Sequence, residues 1–213
     1  MFESIRAFIV TGGLWMIPIG LCSIVSFAII LERGWALRRS RIIKESLAEA
    51  IIEMRHGGRV TEIEELSADE STTLARLVRA CLRHLPWSKY ENSEALQTRA
   101  RSEVAKLDRG LVILEIVVGI GPLLGLLGTI GGLITIFGTV GGQTGGLSTQ
   151  GVQIAQGIAE ALHTTVAGLV AAIPSLIAHS YYTRRIESYS VELEALCVDL
   201  LGKLYTESNE IDS

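Results

Sequence analysis

Glu160 is the residue of this chain best placed to do chemistry. It is the one formally charged side chain between Gly119 and Ser180, a stretch otherwise apolar, small or neutral. Keeping a carboxyl group in lipid costs from about 2.5 kcal/mol upward, so a carboxyl there reads as part of an ion or proton path. Protonated, it could instead do no more than donate a hydrogen bond between helices. His163 follows one helical turn later, and an imidazole titrates near neutral pH, so a Glu160–His163 proton relay is one reading and a packed, silent imidazole the other. Steps of three and four residues put Glu160, Thr164, Ala167, Ala171 and Ser175 on one helix face. Gly125, Thr129, Gly132, Thr135 and Thr139 share a face in the same way. Side by side, two such faces line a narrow cavity in a bundle or an oligomer. Taken singly, Thr129, Thr135, Thr139, Thr164 and Thr165 can each bond the carbonyl four residues back and do nothing else.

The elements that position these groups are apolar helices. Ala7 to Leu31 carries no charge for 25 residues, enough to cross a hydrocarbon core that needs roughly 20. Between Glu115 and Glu160 a further 44 positions are uncharged, too many for one span, and Gly141 to Thr149 (GGQTGGLST) is turn chemistry where the chain reverses. The third span starts near Gly151 and runs to Arg184. Beyond it Ile186, Tyr189, Leu193, Leu196, Leu200 and Leu204 continue the helical spacing, so the helix extends past the membrane with one apolar stripe. In lipid, helices associate through small residues that let backbones approach. Gly121, Gly125, Gly128 and Gly132 supply these on the second span, and Gly157 with Ala161 and Gly168 with Ala172 on the third. Pro122 and Pro174 lie inside spans, where each removes a backbone bond and can kink the helix.

Charge sets the orientation. Arg33, Arg38, Arg39, Arg41 and Lys44 follow the first span and only Arg6 precedes it, and fifteen of the 19 Lys and Arg residues lie between Arg33 and Arg109. That segment belongs in the cytoplasm, the N-terminus outside and the C-terminus inside. The expected division is 1–31 for the N-terminus and first span, 32–110 for a cytoplasmic helical segment and 111–140 for the second span. An outer loop over 141–150, a third span over 151–183 and a cytoplasmic helix and tail over 184–213 complete it. Within 32–110, the spacing predicts helices near Ile42 to Met54, stopped by His56-Gly57-Gly58, and over Ser71 to Leu85, ended by Pro86. A third, from Glu91, runs without a break into the second span. Mean hydropathy of +0.39 beside 20% charged residues reflects segregation of the two. There is no P-loop, no Ser/His/Asp set and no HExxH, so no enzyme activity and no cofactor is expected. Cys22, Cys81 and Cys197 lack ligand spacing and read as packing thiols, with no metal site. No nucleic-acid partner is suggested by a net charge of −4.

GPLLGLLGTIGGLITIF in the second span and GIAEALHTTVAGLVAAIPSLIAH in the third resemble the proton-channel family of ExbB, TolQ and, more distantly, MotA. The likeness is densest over Gly119 to His179 and closest to ExbB and TolQ. It implies an all-α membrane protein of the bacterial inner membrane: three transmembrane helices with long cytoplasmic helical extensions, N-terminus periplasmic and C-terminus cytoplasmic. It further implies a pentamer around two copies of a small single-span ExbD- or TolR-like partner, whose aspartate carries the proton. By motif position Thr129 and Thr165 correspond to pore-lining threonines and Glu160 to the membrane glutamate. Thr165 is rotated about 140° from Glu160 on an α-helix, so Glu160 can face a subunit boundary rather than the lumen. Gly131 stands where the family commonly has tryptophan, and His163 replaces a small or apolar residue. The implied function is an ExbB-like stator subunit that uses the proton motive force to energise TonB-dependent transport through a TonB-like partner. A TolQ-like or gliding-type motor subunit, or a non-conducting scaffold in membrane lipid, stays open beside it.

Overall fold

A computed structural model of the chain describes residues 14–54, 60–140 and 147–205; the side chains of residues 139, 140, 147–150, 153 and 160 are outside that description. All regular elements among the described residues are helices: α1 (Met16–Ala36), α2 (Arg39–Ile42), α3 (Glu45–Glu53), α4 (Val60–Ser67), α5 (Thr73–Arg83), α6 (Lys89–Asp108), α7 (Leu111–Val140) and α8 (Leu147–Leu204). Two compact units divide them, one of Met1–Glu32 with Gly110–Ser180 and one of Arg33–Arg109 with Tyr181–Ser213. Three helices are long and apolar enough to cross a membrane, over Met16–Ala36, Leu111–Gly138 and Ile154–Leu204.

The first unit is apolar on the outside. Ile17, Leu21, Ile24 and Phe27 of α1, Leu123, Ile134 and Phe137 of α7, and Val170, Ile173 and Ile177 of α8 are all exposed. Its buried positions include many small or hydroxylated residues, Ser26, Ala161, Thr164, Ala171, Ala172 and Ser175, beside the larger Met16, Ile19, Leu111, Leu114, Val117 and Ile136. Water would reverse this arrangement, whereas lipid favours it, because tails solvate leucine and small residues permit close helix contact. Ser26 and Ser175 join α1 to α8 through a buried hydrogen bond of 2.5 Å, and Ser175 also donates to the Ala171 carbonyl at 2.7 Å. α7 and α8 remain helical through Pro122 and Pro174.

The second unit has an ordinary water-excluded core. Leu74, Leu77, Val78 and Cys81 of α5 recur at helical spacing and are fully buried, with Leu47 and Ile51 of α3, Ile63 of α4, Leu96 of α6 and Leu193 and Leu200 of α8. The predicted apolar stripe after the third span is buried at Ile186, Tyr189, Leu193, Leu196 and Leu200. Thr72 caps α5 by accepting from the Ala75 amide, and Ser88 with Glu91 forms a capping box at the start of α6. Burial pushes the Cys81 thiol up to about 11, against a hydrogen bond from Asn92, and the Cys197 thiol up to about 12.

Several local expectations change. The helix predicted from Ile42 to Met54 is two, α2 and α3, separated at Ile43 and Lys44, whose extended backbones interrupt the spiral; the His56-Gly57-Gly58 stop falls outside the described residues. α4 was not predicted, since its sequence VTEIEELS is too short and too acidic for an apolar period to show. The helix from Glu91 does not run unbroken into the second span. Arg109 turns extended at ψ 134°, and Gly110 takes φ 89°, a left-handed conformation natural to glycine, before α7 begins. Arg33 donates to the Leu107 carbonyl at 3.1 Å, satisfying an acceptor that the break leaves over.

Candidate functional site

The predicted site residues lie on α7 and α8, and the contact between those helices is made by glycines. A Cβ on Gly121 would stand 3.1 Å from the Gly168 carbonyl oxygen, on Gly125 2.9 Å from that of Thr164, on Gly128 2.6 Å from Thr164 Oγ1, and on Gly132 3.2 Å from the Ala161 Cβ. A Cβ on Gly168 would press closer still against the Gly121 carbonyl oxygen, and one on Gly157 against the Ile136 side chain. As one helix ascends through Gly121, Gly125, Gly128 and Gly132 its partners descend from Gly168 to Ala161, so the two run antiparallel with backbones in contact.

That approach brings hydroxyl groups together across the seam. Thr129 Oγ1 and Thr165 Oγ1 share a short hydrogen bond. Thr129 also lies 3.1 Å from its own Gly125 carbonyl and 3.0 Å from the Ala161 carbonyl of the facing helix, while Thr165 Oγ1 is 3.3 Å from the Gly125 carbonyl. Each hydroxyl has one proton, so only one threonine of the pair can donate to the other and its neighbour must donate to a carbonyl. Thr164, 2% exposed, lies behind them, donates to the Ala161 carbonyl at 2.7 Å and is 3.4 Å from the Gly125 carbonyl. Thr129 and Thr165 stay half-buried. Thr135 bonds the Gly131 carbonyl at 3.0 Å, the local i−4 pattern.

Glu160 belongs to α8, but its side chain, like that of Thr139, is outside the described residues, and the Glu160–His163 contact is outside them with it. His163 Nδ1 lies 2.6 Å from the Ala159 carbonyl oxygen, which can only accept, so Nδ1 carries the hydrogen. The face through Thr164, Ala171 and Ser175 is buried within the unit. Two contacts escaped the sequence reading. Trp15 Nε1 lies 2.8 Å from where a Gly131 Cβ would stand, so the indole covers the bare backbone at that glycine. Ser26, which reaches Ser175, was visible only as a polar residue inside the first apolar run. Among the described residues no group of three or more His, Cys, Asp or Glu side chains could hold a metal ion.

A seam of this kind offers proton donors and acceptors without fixed charge, held between backbones in contact. Residues 69–195 match the family described as the MotA/TolQ/ExbB proton channel family. The chain is similar to a protein named ExbB-like 1 from Synechocystis sp., 34% identical over 78% of this chain and 65% of that protein. It is similar to biopolymer transport protein ExbB of Pseudomonas putida, 28% identical over 87% of this chain and 57% of the other. To the Tol-Pal system protein TolQ of Pseudomonas aeruginosa it is 26% identical over 93% of this chain and 84% of the other. The alignments thus span less than two thirds of the first two relatives.

Proposed function

This chain belongs to the MotA/TolQ/ExbB proton channel family, and from that premise we propose that it is an ExbB-like stator subunit of a bacterial inner membrane. In this reading it forms a pentamer around a small single-span partner of the ExbD or TolR type and lets protons run inward to energise a TonB-like protein. The N-terminus faces the periplasm, and residues 32–110 and 184–213 the cytoplasm. The observation that carries the reading is the meeting of Thr129 and Thr165, hydroxyl to hydroxyl, with both left half-buried. A touching hydroxyl pair can donate to and accept from a partner carboxyl group as it gains and loses its proton, and bears no charge itself. Thr164 supports the pair from behind. Glu160 sits at the wall between neighbouring copies and sets the local field, and His163 modulates it. Each elementary charge crossing 100 mV releases about 2.3 kcal/mol, so a few protons suffice to drive a conformational step.

The test is proton flux in liposomes holding the purified chain with its co-purifying small partner. Thr129→Val with Thr165→Val keeps the side-chain shape and removes both hydroxyls, and flux falls at least about tenfold, a barrier change of about 1.4 kcal/mol. Thr129→Ser with Thr165→Ser keeps most of it. Native flux in the valine pair would remove these residues from the path. A TolQ-like role is the second reading, favoured by the alignment that covers 84% of the TolQ relative. Identification of the envelope-spanning protein that co-purifies separates the two.

A further inference from the structure

Outside the apolar helices, a cavity of about 390 Å³ between α5 and α6 concentrates positive charge. Arg76, Arg79 and Arg83 recur at steps of three and four along α5 and Arg99 joins them from α6, against two carboxylates, Glu70 and Glu103. Glu103, 1% exposed, is shared by Arg76 at 2.9 Å, Lys106 at 2.7 Å and Arg99 at 3.4 Å. Glu70 pairs with Arg79 at 3.4 Å, and Arg83 makes no ion pair among the described residues. The lining itself holds four guanidinium groups and one carboxylate, and with Glu103 counted from behind it two guanidinium charges remain in excess. Beyond Ala95 and Thr98 the adjoining cleft turns acidic, with Glu91 and Glu94, which bounds the basic groove on that side.

At the Arg83 end of this row the C-terminal helix is tied down. Tyr205 Oη lies 3.2, 3.3 and 3.1 Å from the carbonyl oxygens of His84, Leu85 and Trp87, and accepts from Asn92 Nδ2 at 2.9 Å. The eight residues that follow read TESNEIDS, with Glu207, Glu210 and Asp212 and no Lys or Arg; they are outside the described residues. We propose that Glu207, Glu210 and Asp212 of this same chain occupy the groove of Arg76, Arg79, Arg83 and Arg99, a built-in acidic ligand that any other anion or acidic segment must displace. Length permits it: from Thr206 to Asp212 the chain reaches up to about 23 Å, and Arg83 to Arg76 spans about 10 Å of helix. Exposed ion pairs are individually weak, but a short tether raises the local concentration of the acids to the millimolar range. The contact is electrostatic, so salt releases it.

The experiment uses the full chain, purified with its small partner, carrying Ser208→Cys and one of two second cysteines. Ala80→Cys lies in the groove, and Thr98→Cys on the facing helix replaces it if that variant folds poorly. Ile52→Cys is the comparison: Ile52 is 63% exposed and its carbonyl accepts from Lys203 at 2.9 Å, so it lies near the root of the same tail but outside the arginine row. After mild oxidation, disulfides are assigned by peptide mass spectrometry and non-reducing gel. The bridge to position 80 or 98 forms within one chain at least about fivefold more than the bridge to position 52, the effect of a few exposed pairs acting together. The preference vanishes in about 0.5 M salt, where screening reaches down to about 4 Å, and in Glu207→Gln with Glu210→Gln and Asp212→Asn. Equal yields at both positions, a preference that survives neutralisation, or bridges between copies would each overturn the proposal.

Discussion

Gly128 shows how a single atom decides the seam between α7 and α8. A Cβ there would lie 2.6 Å from Thr164 Oγ1 and 2.7 Å from Thr164 Cβ, and the latter cannot rotate away, so the backbones must part. At Gly132 the nearest atom is the Ala161 Cβ at 3.2 Å, and at Gly138 nothing lies within 4 Å. Gly128→Ala should therefore lower stability by about 1–3 kcal/mol, as overpacking does. Gly132→Ala should cost less, and Gly138→Ala should be neutral or slightly stabilising, because alanine orders a helix better than glycine. Thermal unfolding midpoints of the three variants in one detergent check that order; equal shifts would mean that the contact is not as close as these distances. Gly131 belongs to the same scale: the space beside it is taken by the Trp15 indole, which comes from the turn just before α1. Spacing along α7 marks Gly131 as small but carries no trace of what covers it.

Between elements, the buried carboxylate of Glu103 ties α6 to α5. Arg76 approaches it from α5 at 2.9 Å, and Lys106 reaches it along α6 at 2.7 Å. Burial alone would push the carboxyl up, but hydrogen bonds from Lys106 and Arg76, with their charges, outweigh it and hold the carboxyl below its usual range. A carboxyl held low binds fewer protons folded than unfolded. It therefore stabilises fully above the unfolded pKa of about 4.3, and that contribution is lost as pH falls through the lower folded value. Glu103→Gln should cost about 1.5–3 kcal/mol at neutral pH and flatten the acid limb of stability below about pH 4.3. An unchanged limb in a urea-titration series would show that Glu103 is not a linkage group. Sequence spacing does not reveal this residue, because α6 reads as a polar surface helix and Arg76 is 27 positions away. The three apolar helices and the glycine ladder were legible, since length, absence of charge and four-residue spacing are local signals. The break at Gly110 was not: one glycine in a helical pattern does not announce a positive φ, and Arg33, which satisfies the Leu107 carbonyl there, is distant in sequence.

For the whole molecule, the first unit's apolar exterior over a hydroxyl-lined seam suits a membrane, and membership of a proton channel family gives that seam a use. Three spans in one chain are too few to enclose a path, so the proposed function requires several copies and a partner that brings a carboxyl group to Thr129 and Thr165. Glu160, alone in charge between Gly119 and Ser180, is the residue on which that function should depend without the fold depending on it. The most direct measurement is proton uptake into liposomes, under an imposed potential, by the purified chain with its co-purifying partner, native against Glu160→Gln, with native mass recorded for both. The proposed mechanism predicts a multimer containing a small single-span companion in each case, with uptake in the native complex and a loss of at least about tenfold, or about 1.4 kcal/mol of barrier, in the variant. A monomer without a companion, or uptake that Glu160→Gln leaves untouched, would contradict it.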